Sequence, residues 1–117
     1  MLIKKVICHV AVSQAEEFSK AQSEWRELSK VKGFIKQAGG WRSDEDGNLT
    51  AVIVGVWENR QYYEEFMAHS HDQIFANTKQ NDTFQSINVE LCEADDMHEI
   101  FRQLDLRFEP EWTVLNT

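Results

Sequence analysis

The stretch "GFIKQAGGWRSDEDGNLTAVIVGVWE", residues 33–58, decides the fold. Two extended arms, Phe34 to about Arg42 and Leu49 to Trp57, flank Asp44-Glu45-Asp46-Gly47-Asn48. An Asp-Gly pair between two such arms is a strong hairpin signal, because glycine takes the positive φ that tight turns need. Gly39-Gly40 inside the first arm predicts a bulge or a close backbone approach. The second arm, "TAVIVGVW", is apolar on both faces. That pattern predicts a central strand, or one with another layer on its far side.

Working outward, "LIKKVICHVAV" (2–12) is rich in β-branched residues and alternates. Val6, Cys8 and Val10 fall on one face, and Ile7 and His9 on the other, as in a strand. Ser13 and Glu16 have capping-box spacing, and a helix is expected over the residues that follow. Phe18, Ala21, Trp25 and Leu28 would form its apolar face, and Gly33 would stop it. After the hairpin, Asn59 caps a second helix with Tyr62, Tyr63, Phe66 and Met67 on its apolar side. That helix is expected to end near His69, with a short continuation to Thr78. "TFQSINVELCEA" (83–94) is the last clear strand. The order is β-α-β-β-α-β, a ferredoxin-like α+β sandwich over residues 1–94.

Residues 95–117 keep Phe101, Leu104, Phe108, Trp112, Val114 and Leu115. A tail this apolar must dock, on its own sheet or a partner's. "DDMHEIFRQL" suits a short helix and "EWTVLNT" an extended segment. The composition of the latter suits β-augmentation, so the tail is expected to cross to a second protomer and bury Trp112 there.

Twenty acidic against twelve basic residues give a net charge of −8. This argues against nucleic acid, whose phosphates require a clustered basic surface. It also argues against an anionic membrane surface. The first residues lack the apolar run of a signal peptide, and no run approaches the roughly 20 residues of a membrane span. The expected location is cytoplasmic, with Cys8 and Cys92 as buried free thiols. No histidine, cysteine or carboxylate pair has a convincing metal-ligand spacing, and no flavin or phosphate fingerprint is present. No metal and no cofactor are expected.

Val56-Trp57-Glu58-Asn59 followed by Phe66-Met67-Ala68-His69-Ser70-His71, together with "GFIKQAGGWRSD", resembles the antibiotic biosynthesis monooxygenase-like group. The likeness runs from residue 2 to about 94 and is nearest to a bacterial branch with no assigned activity. It implies a dimeric α+β barrel, in which two protomers pack their sheets face to face and a cavity lies between each sheet and its helices. Members include cofactor-independent oxygenases of phenolic polyketides, haem-degrading proteins and proteins without known activity. The haem branch's strand-one Asn and helix-borne Trp have no equivalents here, which speaks against haem.

Two histidines are candidate general bases: His71 at the end of the second helix, and His9 on the first strand. His71 could instead cap a helix end, and His9 could be a hydrogen-bonded structural residue. Trp25, Trp41, Trp57, Tyr62 and Tyr63 would wall a site for a small aromatic ligand, or else serve as core. Arg42 is either an anion clamp or a surface residue. The expected function is a homodimeric, cofactor-independent monooxygenase. The alternative is a non-enzymatic small-molecule binding or regulatory module.

Overall fold

A computed structural model describes residues 1–43 and 49–116. The Asp44–Asn48 turn lies outside the described residues. The arms it joins are strands β2 (Phe34–Ser43) and β3 (Leu49–Trp57), fully antiparallel, with Trp41 opposite Ala51 and Phe34 opposite Trp57. Strand β1 (Leu2–Val10) pairs with β3 on one side and with β4 (Ser86–Glu93) on the other. The order β4-β1-β3-β2 makes β3 central, and the ferredoxin-like α+β fold is present. The register irregularity in β2 falls between Phe34 and Lys36 rather than at the glycine pair. Gly39-Gly40 is a close approach instead. The ring of Trp112 lies against Gly39, and the backbone of Arg107 and Phe108 lies against Gly40.

One face of the sheet carries the helices. The expected first helix is divided. Helix α1 (Ala15–Gln22) is followed by a 3₁₀ segment, Ser23–Lys30. Phe18, Ala21, Trp25 and Leu28 are nevertheless all buried. Ser13 does not cap; it lies in a 3₁₀ turn before α1. Gly33 has φ +86°, and a Cβ there would strike the Tyr62 ring. Helix α2 (Arg60–His69) starts on Asn59, whose side-chain oxygen accepts from the Tyr62 N–H at 3.0 Å. Helix α3 (His71–Thr78) follows at once, and a 3₁₀ turn, Gln80–Thr83, leads into β4.

Within the single chain described, the tail docks on its own sheet. Helix α4 (Met97–Arg102) and the residues after it lie on the opposite face of the same sheet. There Met97, Ile100, Phe101, Leu104 and Leu106 pack on Ile3, Val52, Val54 and Val56. The chain then turns around the β2 edge as β5 (Arg107–Phe108), reaches the helical face at Trp112, and pairs again with β2 through β6 (Val114–Leu115). Trp112 is 0% exposed within its own chain, with rings of Trp41 and Phe18 at 5.3 and 5.8 Å. Its indole N–H donates to Ser19 Oγ at 3.0 Å. The outer face of β3 therefore does not need a second sheet to be buried. Of the two thiols only Cys8 is buried; Cys92 is exposed. Among the described residues no helix is long and apolar enough to cross a membrane.

Candidate functional site

Between the sheet and its helices lies a cavity of about 510 Å³, within the size range of small-molecule sites. Period-two alternation sends Lys4, Val6 and Cys8 of β1 into it, with Gln37 of β2 and Ile53, Gly55 and Trp57 of β3. The helical face supplies Phe18 and Trp25, then Tyr63, Phe66 and Met67 of α2 and His71 and Phe75 of α3. Gly55 leaves the middle of the floor without a side chain. A Cβ there would meet only Gln37 Oε1 at 3.6 Å and Trp57 Nε1 at 3.8 Å. Ile87 and Val89 of β4 also line the cavity while remaining 51% and 45% exposed. The cavity therefore opens to solvent along this edge strand.

The aromatic walls are fixed by mutual contacts. Trp57 sits 5.0 Å from Phe66 and 5.9 Å from Tyr63, centroid to centroid. A buried amide holds the far wall: Trp25 Nε1 donates to Gln80 Oε1 at 2.9 Å, and Gln80 Nε2 donates to Gln22 Oε1 at 2.7 Å. Each of these polar atoms is paired, which gives the wall one arrangement. His71 stacks on Phe75 at 5.9 Å and meets the edge of Phe66 at 5.8 Å. Its Nδ1 is 3.0 Å from Asp72 Oδ1. With Nδ1–H donating to that carboxylate, Nε2 keeps the lone pair a general base needs.

Lys4 is the floor's cation. Its Nζ is 3.8 Å from Met67 Sδ and 5.1 Å from the Tyr63 ring centroid. Burial lowers its pKa from 10.5 to about 8, because the charged form has lost water. Among the described residues no Asp or Glu lines the cavity. Burial also raises Tyr63, an effect the Arg60 charge opposes. Burial pushes the Cys8 thiol up to about 12, so the thiolate that would react is not formed near neutral pH.

Of the residues singled out from the sequence, His71, Trp25, Trp57 and Tyr63 meet at this cavity. The other four do not. His9 alternates to the opposite face of β1 and is exposed, so it cannot reach the cavity. Trp41 is core, against Phe18 at 5.6 Å and Trp112. Tyr62 packs outside, over Gly33 and under the Lys32 ammonium at 5.7 Å. Arg42 is exposed and borders a groove on the other sheet face. Lys4, Gln37 and Gln80 were not anticipated. Lys4 had a signal: it shares parity with Val6, Cys8 and Val10. Among the described residues no cluster of three or more His, Cys, Asp or Glu stands ready for a metal.

Comparison with known proteins gives the family. The model of a family described as a domain of unknown function, DUF4937, matches residues 2–92. The uncharacterized protein YdbC of Bacillus subtilis (strain 168) is 50% identical over 117 residues, 98% of each chain. Solved structures with the same fold include a candidate antibiotic biosynthesis monooxygenase from Nitrosomonas europaea. It has a TM-score of 0.63 and 16% identity over 80% of this chain and 98% of that one. A monooxygenase from the gene ActVA-Orf6 of Streptomyces coelicolor, solved with nanaomycin D, has a TM-score of 0.59 and 13% identity, over 81% and 88%. SnoaB of Streptomyces nogalater, a cofactor-independent oxygenase, has 0.52 and 14%, over 82% and 95%. At these identities the structures share a fold with this chain. The chain belongs to the DUF4937 family, and its fold is that of the antibiotic biosynthesis monooxygenase-like proteins.

Proposed function

We propose that this protein is a cofactor-independent monooxygenase that oxidises a small phenolic molecule with O2. The observation that carries the reading is the cavity itself: aromatic walls, a histidine with one nitrogen engaged by Asp72, and a single lysine share one space. His71 Nε2 takes the phenolic proton, and the phenolate spreads its charge onto a ring carbon. That carbon transfers an electron to O2, and the resulting pair joins as a C–O bond. The peroxide is protonated from His71 and loses water with the ring C–H proton. One oxygen atom stays as a new carbonyl and the other leaves as water, so phenol plus O2 gives quinone plus H2O. The aromatic walls hold the ring flat.

Oxygen uptake with 1,8-dihydroxyanthrone, the keto form of such a phenol, tests this. The expected result is uptake above the protein-free rate that falls at least tenfold in His71→Asn, while binding of the anthraquinone product persists. Binding without uptake would make the protein the non-enzymatic alternative. The reading also has the chain acting in the cytoplasm as a homodimer. Support for a second copy comes from Ile87, Val89 and Leu91 on β4, exposed in a row beside an unpaired strand edge. Such an edge is a template for pairing. Sedimentation at micromolar concentration should show a dimer that Val89→Glu dissociates.

A further inference from the structure

We propose that the cavity's ligand is an aromatic anion, with a single carboxylate or phenolate seated on Lys4 Nζ. The inference rests on the cavity being a ligand site, not on the oxidation. Lys4 enters the floor from β1, between Leu91 of β4 and Gly55 of β3 in the register. Its ammonium has a thioether and a ring face as neighbours, both of them weak partners for a charge. None of the ion pairs among the described residues involves Lys4. A charge removed from water is costly unless it is paired, and among the described residues no acid on the cavity wall pairs it. An incoming anion supplies the missing partner.

The remaining chemistry sets the rest of the ligand. Trp25, Trp57, Phe66 and Phe75 present rings to the cavity, which suits a flat, apolar body. The bare floor at Gly55 gives that body room beside the ammonium. Gln37 at the same level offers an amide for one further polar group on the ligand. Among the described residues the wall has one lysine and no carboxylate, which specifies one negative charge. With a net charge of −8 the protein as a whole repels anions. Selectivity for one must therefore come from a local, desolvated contact rather than from long-range attraction.

A matched pair of probes tests the proposal on the full chain. 2-Naphthoate and 2-naphthylmethanol have the same ring and differ in charge, and quenching of Trp25 and Trp57 reports either one entering the cavity. Naphthoate is expected to bind at least tenfold tighter than the alcohol. In Lys4→Met the two affinities should come within about threefold, with the alcohol's affinity kept. Lys4→Gln, which keeps a polar end, should behave in the same way and guards against a packing effect of methionine. Equal or tighter binding of the alcohol to the unaltered protein, failure of naphthoate to bind at millimolar concentration, or a naphthoate preference that survives both substitutions would overturn it. Oxygen uptake is not read in this experiment, so its outcome is separable from that of the proposed oxidation.

Discussion

The two faces of one central strand have opposite fates. On the outer face of β3, Val52, Val54 and Val56 are 0%, 1% and 0% exposed, covered by the aliphatic and aromatic side chains of α4 and its neighbours. A groove of about 450 Å³ remains beside them, lined by Lys5, Glu90, Arg42 and Gln103 as well as aliphatic groups, with no aromatic wall. On the inner face, Ala51, Ile53, Gly55 and Trp57 alternate small and large. The helices bridge over the glycine rather than filling the space above it. The outer face is packed, while the inner face, beside two buried clusters of its own, keeps a void and an unpaired charge. Close-packed interiors lose free energy at every void, so a retained one is informative.

The strongest way to break this comparison is to remove the outer cover. Truncation after Ala94 exposes the three valines, each worth about 1.5–3 kcal/mol when buried, and removes Trp112 from the inner face. Together these losses rival the roughly 5–15 kcal/mol total stability of a small domain. The expected outcome is loss of the cooperative thermal transition by circular dichroism, in the monomer itself. A truncated chain that melts normally would show that α4 is an accessory. Trp112→Ala alone should cost about 3–5 kcal/mol by chemical denaturation. It leaves a hole between Trp41 and Phe18 and orphans the Ser19 hydroxyl bond.

These effects also mark where the sequence was readable. Strand β3 was delimited to the residue, because a doubly apolar run bounded by a turn and by Asn59 has only one reading. What covered its outer face was not readable. The composition of the tail showed that it must dock, but the side it takes depends on the close passage of Arg107 and Phe108 over Gly40. Within one chain that passage lets the tail cover the outer face of β3. The division of the first helix after Gln22 was hidden because 3₁₀ and α segments share nearly the same apolar spacing. At the site, aromatic residues at helical spacing do not reveal which end of the helix stands over the void. Trp25 of the first helix segment and Trp41 of β2 were both candidates, although only Trp25 lines the cavity. Strand parity was the better guide. It placed His9 away from the Val6-Cys8-Val10 face, and it would have placed Lys4 on it.

Replacing Lys4 by methionine sharpens the contrast by removing the charge the inner face tolerates. Native Lys4 titrates near 8 and the unfolded residue near 10.5. Below pH 8 the side chain is charged in both states, and burial of the charge weakens the fold in full. Between 8 and 10.5 the unfolded chain binds more protons, so the stability of the unaltered protein rises with pH. Lys4→Met is expected to be more stable at pH 7 by about 2–3 kcal/mol. That advantage should shrink through the window from 8 to 10.5. Denaturant melts at pH 7, 9 and 10.5 give the difference directly. A variant that is less stable at pH 7 would mean the ammonium has a partner in solution.

The smallest effect isolates the void. At Gly39 a Cβ would collide with the backbone of the adjacent Val52, so the glycine is required. At Gly55 a Cβ has ordinary contacts at 3.6 and 3.8 Å, so nothing steric demands glycine there. Alanine in a strand interior is favoured over glycine by roughly 0.5–1 kcal/mol, because less backbone entropy is lost on folding. Gly55→Ala is therefore expected to raise stability by about that amount while narrowing the floor between Lys4 and Gln37. If the floor receives a ligand, affinity for 2-naphthoate should fall severalfold in the same variant. Stability and binding would move in opposite directions, which is the signature of a position held open for function rather than for packing. A variant that gains stability and binds naphthoate unchanged would place the ligand elsewhere in the cavity, away from the bare floor.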